Sequence, residues 1–290
     1  MIHLGLIGYP LGHSLSPKLH NAALHYCDLQ GEYSLFPIEP DDLQSLRRLL
    51  ERVRSREITG LNVTIPHKQN VIPFLDQLSG TAEVTGAVNT IYRHNEILLG
   101  GNTDAPGFLV DLNRFLATHL PRRGVPGETR RHRGSFNKNA LILGAGGSAR
   151  AVVYALLKDG WEVTIAARRL EQAQQFVDLF TNYRLQIADL TLLNIELSNI
   201  TLIVNTTPVG MIPNTDQSPW PEKCRFPTHA AIYDLIYNPF ETKLVKDARA
   251  QGLSAITGRG MLIEQAALAF QLWTGKQVAR EIMLSAVGES

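Results

Sequence analysis

The run Gly144-Ala145-Gly146-Gly147-Ser148-Ala149 follows the apolar stretch Ala140 to Leu143 and opens a helical period that continues through Leu157. A turn of that composition between strand and helix suits a dinucleotide. Gly144 permits the sharp reversal, Gly146 lets the backbone approach a pyrophosphate, and Ala149 keeps the helix close to the sheet. Amide groups and the helix dipole then face the anion. About 20 residues further on, where an acidic side chain would take the ribose hydroxyls of NAD, the stretch Trp161 to Ala167 delivers Arg168 and Arg169 instead. Guanidinium groups pair with a 2′-phosphate through charge-assisted hydrogen bonds, so the predicted cofactor is NADP, with Arg168 the stronger choice.

A second set of residues carries polar and titratable groups. In Gly12-His13-Ser14-Leu15-Ser16-Pro17, Pro17 suits the first position of a helix and Ser16 its cap. Both hydroxyls can converge with the helix N-terminus on one small anion such as a carboxylate; capping alone would also explain Ser16. In Gly60 to Lys68, Pro66 marks a helix start and Lys68 falls in its first turn, where a cation opposes the dipole. An ammonium placed against local preference suits proton transfer, although an exposed lysine carrying a small penalty reads the same way. Asn89 and Asp104 stand at or beyond predicted strand ends, where each can also simply shape a turn.

The elements that must hold these residues follow from periodicity. Ile2 to Gly8 reads as a strand and Pro17 to Cys27 as a helix. Asp41 to Ser55 reads as an amphipathic helix with Leu43, Leu46, Leu50 and Val53 on one face. Strands are predicted at Thr59 to Ile65, Ala87 to Tyr92 and Glu96 to Leu99, then at Ala140 to Leu143, Val163 to Ala166, Thr201 to Asn205, Ala230 to Leu235 and Ser254 to Ile256, with a closing helix over Gly260 to Gly275. Between His119 and Lys138 the composition turns to Pro, Gly and Arg, including Arg122, Arg123, Arg130, Arg131 and Arg133, and reads as a linker or solvated loop with no activity of its own. The rhythm predicts an α/β chain of two domains.

Composition agrees. At about 150 residues per domain, the 290-residue length predicts two. With 44% hydrophobic and 19% charged residues, disorder is excluded. Lys and Arg number 28 against 27 Asp and Glu, so no net field draws the chain to nucleic acid or anionic lipid. Cys27 and Cys224 lack any CxxC spacing and fit a reducing, cytoplasmic setting. The nine histidines show no metal spacing, and neither an export signal nor a membrane anchor is expected.

Taken together, the residues resemble those of the shikimate dehydrogenases, which reduce 3-dehydroshikimate to shikimate with NADPH in aromatic amino-acid biosynthesis. The likeness covers nearly the whole chain and is carried by ordered motifs: HSLSP (His13 to Pro17), NVTIPHK (Asn62 to Lys68), GAVNT (Gly86 to Thr90), GNTD (Gly101 to Asp104), GAGGSAR (Gly144 to Arg150), NTTPVGM (Asn205 to Met211), DLIYNPFETKL (Asp234 to Leu244) and GRGMLIEQAALAF (Gly258 to Phe270). The resemblance implies that Ser14 and Ser16 hold the substrate carboxylate with Tyr237 nearby, and that Asn62, Thr64, Asn89 and Gln265 bind ring hydroxyls. Lys68 and Asp104 would form the catalytic dyad, Lys68 giving the proton and Asp104 orienting it. Asn205, Thr206, Met211, Leu235, Gly258 and Met261 would line the nicotinamide side, although both methionines also suit a core.

Some positions depart from the family pattern. Ala167 and Arg169 replace its usual Asn and Thr, Ala105-Pro106 follows Asp104 where Gly is frequent, and Ala266 follows Gln265 where Gly is usual. None removes a proposed catalytic residue. The expectation is therefore an N-terminal α/β substrate domain, residues 1–110 completed by the helices of 258–290, a crossover over 111–137, and a Rossmann-type doubly wound NADP domain over 138–257, with a cleft between the two domains where hydride and proton arrive. The expected partner is a small molecule, shikimate or 3-dehydroshikimate, and a homodimer is allowed. Two other readings stand beside this one: a quinate/shikimate dehydrogenase using NAD, and a noncatalytic NADP-binding regulator, against which the presence of both Lys68 and Asp104 argues.

Overall fold

The computed structural model describes residues 1–119, 137–189, 197–222 and 224–288. The basic run Arg122 to Arg133 lies outside them. Two compact units divide the chain: Met1–Phe108 with Arg150–Tyr154 and Gly260–Ser290, and Leu109–Ala149 with Ala155–Arg259.

The first unit runs β1 (Ile2–Gly8), α1 (Ser16–Tyr26), β2 (Gly31–Pro37), α2 (Leu43–Arg54), β3 (Gly60–Val63), β4 (Gln77–Leu78), α3 (Gly80–Thr85), β5 (Thr90–His94), β6 (Ile97–Gly101) and the start of α4 (Asp104–His119). Its sheet has the order β2-β1-β3-β5-β6-β4, and among these described strands only β5 runs against its neighbours. The expected hairpin is present as β5 and β6, closed by Asn95 at a φ of 57°. On α2 the buried face is Leu46, Leu49, Leu50 and Val53. Leu43, expected on that face, is 47% exposed because it opens the helix beside the capping Asp42, whose carboxylate accepts from the Ser45 amide. Ser16 is likewise the first residue of α1 and not its cap; Leu15 occupies the cap position and makes no side-chain bond. No helix begins at Pro66. Residues 65–71 form consecutive turns after a cis Ile65-Pro66 bond, so the dipole argument for Lys68 falls away.

The second unit continues with β7 (Asn139–Leu143), α5 (Gly147–Lys158), β8 (Glu162–Ala167), α6 (Leu170–Leu179), β9 (Leu185–Asp189), β10 (Leu202–Asn205), β11 (Ala231–Asp234), α7 (Lys243–Ala250) and β12 (Ala255–Thr257). All six strands are parallel in the order β12-β11-β10-β7-β8-β9, the doubly wound arrangement whose direction of winding reverses between β7 and β10. Both faces of β7 are covered, which is why Ala140-Leu141-Ile142-Leu143 is apolar throughout. The chain closes with α8 (Arg259–Thr274) and α9 (Arg280–Ala286). Trp273 of α8 donates from Nε1 to the Ile91 carbonyl, and its indole occupies the space a side chain at Gly60 would need. Among the described residues no helix is long and apolar enough to cross a membrane.

Candidate active site

Beyond β3 the chain folds into turns that carry Lys68. The His67 imidazole anchors this segment by donating from Nε2 to the Ile38 carbonyl at 2.7 Å, and the Lys68 carbonyl accepts from the Val88 amide at 2.8 Å. Asp104 is the first residue of α4. Asn102 caps that helix, its Oδ1 accepting from the amides of Asp104 and Ala105 at 3.0 and 3.2 Å while its Nδ2 donates to the Ala87 carbonyl. The result is a Lys68 Nζ to Asp104 Oδ2 bond of 2.6 Å between residues only 8% and 6% exposed. A buried ion pair holds only when further hydrogen bonds satisfy its remaining lone pairs, and here Asn89 Nδ2 donates to Asp104 Oδ1 at 2.8 Å.

Asn89 joins the rest of this cluster. Its Nδ2 also reaches Thr103 Oγ1 at 2.9 Å and Gln265 Oε1 at 3.4 Å, and its Oδ1 accepts from the Thr103 amide at 2.7 Å and from Thr90 Oγ1 at 2.9 Å. Gln265 is 8% exposed on α8 and donates from Nε2 to the Leu262 carbonyl. It comes this close because Gly107 of α4 has no side chain: a Cβ there would stand 2.8 Å from the Gln265 amide nitrogen. Asn62 on β3 accepts from the Tyr33 hydroxyl at 2.8 Å and donates to the Asn89 carbonyl at 3.2 Å. The expected residues Lys68, Asp104, Asn89, Gln265 and Asn62 thus share one polar cluster.

Ser14 and Ser16 are drawn together by a 3.2 Å bond from the Ser16 amide to Ser14 Oγ, which does for that orphan amide what a side-chain cap would do. Thr64 lies just past β3 with its methyl against Gly8, where a Cβ would be 2.3 Å away. Met261, 7% exposed, belongs to this first unit with α8. Several contributors carry weak sequence signals. Asn102, Thr90 and Thr103 sit inside recognised motifs that give them no role of their own, and Tyr33 lies on a strand that the apolar pattern does not reveal.

In the second unit the glycine-rich turn fits a dinucleotide. Gly144 has a φ of 104°, a conformation costly for any other residue, and a Cβ there would meet Thr206 Oγ1 and the Thr207 methyl at 3.0 and 2.7 Å. A Cβ on Gly146 would meet no protein atom within 4 Å, so the backbone at the start of α5 is open to an incoming anion. Ala145, Gly147 and Ser148 are partly exposed around it, and Ala149 is fully buried. Arg168 and Arg169 are exposed directly after β8.

Opposite the turn, Thr206 Oγ1 donates to the Leu143 carbonyl at 2.8 Å. Asn205 is fully buried, and its amide is used inside the protein: Nδ2 donates to Asp234 Oδ1 at 2.8 Å, and Oδ1 accepts from the Thr207 amide and hydroxyl. It shapes the loop after β10. Burial pushes the Asp234 carboxyl up to about 6, against bonds from Thr242, Ile236 and Asn205 that favour its charged form. Gly258 lies so close to Leu235 that a Cβ would fall 2.1 Å from the Leu235 carbonyl oxygen. Met211 is 45% exposed. Tyr237 is half-buried after β11, and burial raises its phenol above the ordinary value. Among the described residues no three His, Cys, Asp or Glu side chains gather as metal ligands would.

A dinucleotide turn at the reversal point of a doubly wound sheet, on a chain that separately buries a lysine–carboxylate pair, defines a two-domain pyridine-nucleotide oxidoreductase. Family models agree along the chain: the shikimate dehydrogenase substrate binding domain matches residues 6–91, shikimate / quinate 5-dehydrogenase matches 129–212, and the shikimate 5′-dehydrogenase C-terminal domain matches 258–287. The protein named shikimate dehydrogenase (NADP(+)) from Bacillus subtilis (strain 168) is 36% identical over 285 residues, which cover 98% of this chain and 95% of that one. Shikimate 5-dehydrogenase from Thermus thermophilus, solved with NADP(H) and shikimate, superposes with a TM-score of 0.81 at 36% identity, covering 99% and 98% of the two chains. Quinate dehydrogenase from Corynebacterium glutamicum, solved with NAD, superposes with a TM-score of 0.82 at 30% identity, covering 99% and 98%. The chain belongs to the shikimate dehydrogenase family.

Proposed function

We propose that this chain catalyses the reversible NADPH-dependent reduction of 3-dehydroshikimate to shikimate, a step of aromatic amino-acid biosynthesis. The observation that carries the reading is the 2.6 Å contact between Lys68 Nζ and Asp104 Oδ2 within a buried cluster of amides and hydroxyls. NADPH, when bound, supplies the hydride that reduces the C3 carbonyl. Lys68 gives a proton from Nζ to the carbonyl oxygen as charge develops there, and in the oxidative direction the same nitrogen receives the hydroxyl proton. Asp104 fixes the ammonium in place and is itself held by Asn89. Ser14 and Ser16 take the substrate carboxylate, with Tyr237 contributing, while Asn62, Thr64, Asn89 and Gln265 take the ring hydroxyls.

Gly144, Gly146 and the first turn of α5, Gly147-Ser148-Ala149, would cradle the pyrophosphate beside Ala145. Arg168, with Arg169 next to it, would pair with the 2′-phosphate. Thr206, Met211, Leu235, Gly258 and Met261 would line the nicotinamide side, with Asn205 shaping the loop there. Replacing Arg168 by alanine is expected to raise the KM for NADP+ about tenfold or more, as loss of a charge-assisted bond does, while leaving the KM for NAD+ within twofold. Steady-state rates with each cofactor check this, and equal losses for both would exclude a 2′-phosphate role.

A second reading rests on the 30% identity to a quinate dehydrogenase solved with NAD. Quinate shares the carboxylate and ring hydroxyls, so the first unit alone does not separate the substrates. Initial rates with shikimate and with quinate, each with NADP+ and NAD+, do so. The highest kcat/KM is expected for shikimate with NADP+; preference for quinate with NAD+ would overturn the assignment. Cys27 and Cys224 are unbridged, which suits a reducing cytoplasm.

A further inference from the structure

Tyr33 stands apart from the residues assigned so far, although it touches one of them. It is the single buried residue of the edge strand β2, and its hydroxyl crosses to β3 to donate to Asn62 Oδ1 at 2.8 Å. The other end of the same amide donates from Nδ2 to the Asn89 carbonyl at 3.2 Å. A backbone carbonyl only accepts, so it requires the NH2 end of Asn62, and Oδ1 then faces a phenol that must donate. The Asn89 carbonyl thus sets the amide orientation, and the Tyr33 hydroxyl, which can donate or accept, completes it by donating to Oδ1. The Tyr33 ring is in turn held on its face by His20 of α1, whose imidazole is fully buried and stacks on it at a centroid distance of 4.5 Å and an interplanar angle of 6°. His20 also contacts the rings of Phe270 and Trp273 on α8, so the stack is clamped by two helices.

We propose that Tyr33 is a positioning residue for the substrate: it locks the Asn62 amide in the orientation that meets a ring hydroxyl, and the His20 stack fixes Tyr33. The proposal rests on the shikimate dehydrogenase reading above. With the amide locked, Nδ2 is held by the Asn89 carbonyl and Thr90 Oγ1 at 3.5 Å, and the Oδ1 lone pair that Tyr33 does not fill keeps a constant position, so a ring hydroxyl meets the same acceptor at each encounter. Without the phenol hydroxyl, Oδ1 loses the donor that holds it, and the amide is held only from its Nδ2 end.

The test is steady-state kinetics and thermal unfolding of Tyr33→Phe, which keeps the ring and its stack and removes only the hydroxyl. The KM for shikimate is expected to rise about fivefold, the change one net hydrogen bond makes, with kcat within twofold and the KM for NADP+ unmoved, and the Tm is expected to fall because a buried bond is lost. In an Asn62→Ala background the same substitution is expected to add nothing, because the two side chains act as one unit. An unmoved shikimate KM in Tyr33→Phe, an equal rise for NADP+, or additivity with Asn62→Ala would each overturn the positioning role while leaving the enzyme assignment standing. Failure of the unaltered chain to oxidise shikimate would overturn both.

Discussion

Lys68→Ala is expected to lower kcat for shikimate oxidation by about 10²- to 10⁴-fold, the range that a positioned proton-transfer group contributes. The KM for shikimate should change by less than about threefold, because the carboxylate and the ring hydroxyls are assigned to other residues and an interaction made only in the transition state appears in kcat. The physical basis is the placement of the ammonium. Lys68 is buried, its turn is pinned by His67 on the Ile38 carbonyl, and its Nζ stands 2.6 Å from Asp104. Alanine leaves the Asp104 carboxylate buried with Asn89 but without its cation, and breaking a buried pair costs about 3–5 kcal/mol of stability. Thermal unfolding of the variant therefore accompanies the kinetics, and Lys68→Met, which keeps most of the apolar stem, separates lost chemistry from lost packing. Turnover within twofold of the parent in a folded variant would remove Lys68 from the mechanism.

A second large effect concerns stability against acid. Burial pushes the His20 pKa down from 6.5 to about 3, and the Asn62 side chain opposes that shift only in part. In the folded chain the ring stays neutral throughout the mildly acidic range, whereas in the unfolded chain it takes a proton below about pH 6.5. Stability from this group is therefore complete above that value and falls by about 1.4 kcal/mol per unit as the pH drops toward 3.

Asp234 acts with the opposite sign. Its carboxyl, raised from 3.8 to about 6, keeps a proton in the folded state after the unfolded state has released one, so its contribution grows as the pH falls through 6 toward 3.8. In the parent chain the two largely offset each other within that window. His20→Phe retains a stacked ring and leaves Asp234 untouched. Between pH 7 and pH 4 it is expected to lose about 3 kcal/mol less stability than the parent. Urea unfolding of both proteins at the two pH values measures the difference, and equal acid losses would show that His20 does not remain neutral in the folded chain.

The Gly144 turn, the parallel strands β7, β8, β10, β11 and β12 and the preference for a phosphate-bearing cofactor are legible because each depends on residues close in sequence. A glycine at positive φ, an apolar strand before it and a small residue in the first helical turn all lie within about a dozen positions, and their types follow from backbone sterics alone. The edge strands β2 and β9 are not legible. Apart from Tyr33 on β2 and Ala188 on β9, none of their residues is fully buried, so neither produces a run of apolar residues. Local pattern singles out Lys68 through a helix that does not exist.

By itself, then, the sequence determined the two-domain α/β class, the dinucleotide turn and the residue types available for proton transfer, since local pattern and motif order are enough for those. Only the tertiary structure decided which of them meet. Lys68 and Asp104 are 36 residues apart, and Asn89 and Gln265 are 176 apart. Their contacts depend on the strand order β1-β3-β5-β6, which brings the ends of β3 and β6 to either side of β5, and on the missing side chain at Gly107 that lets α8 close on α4. Such pairings arise from packing between elements distant in the chain, and no local periodicity encodes them.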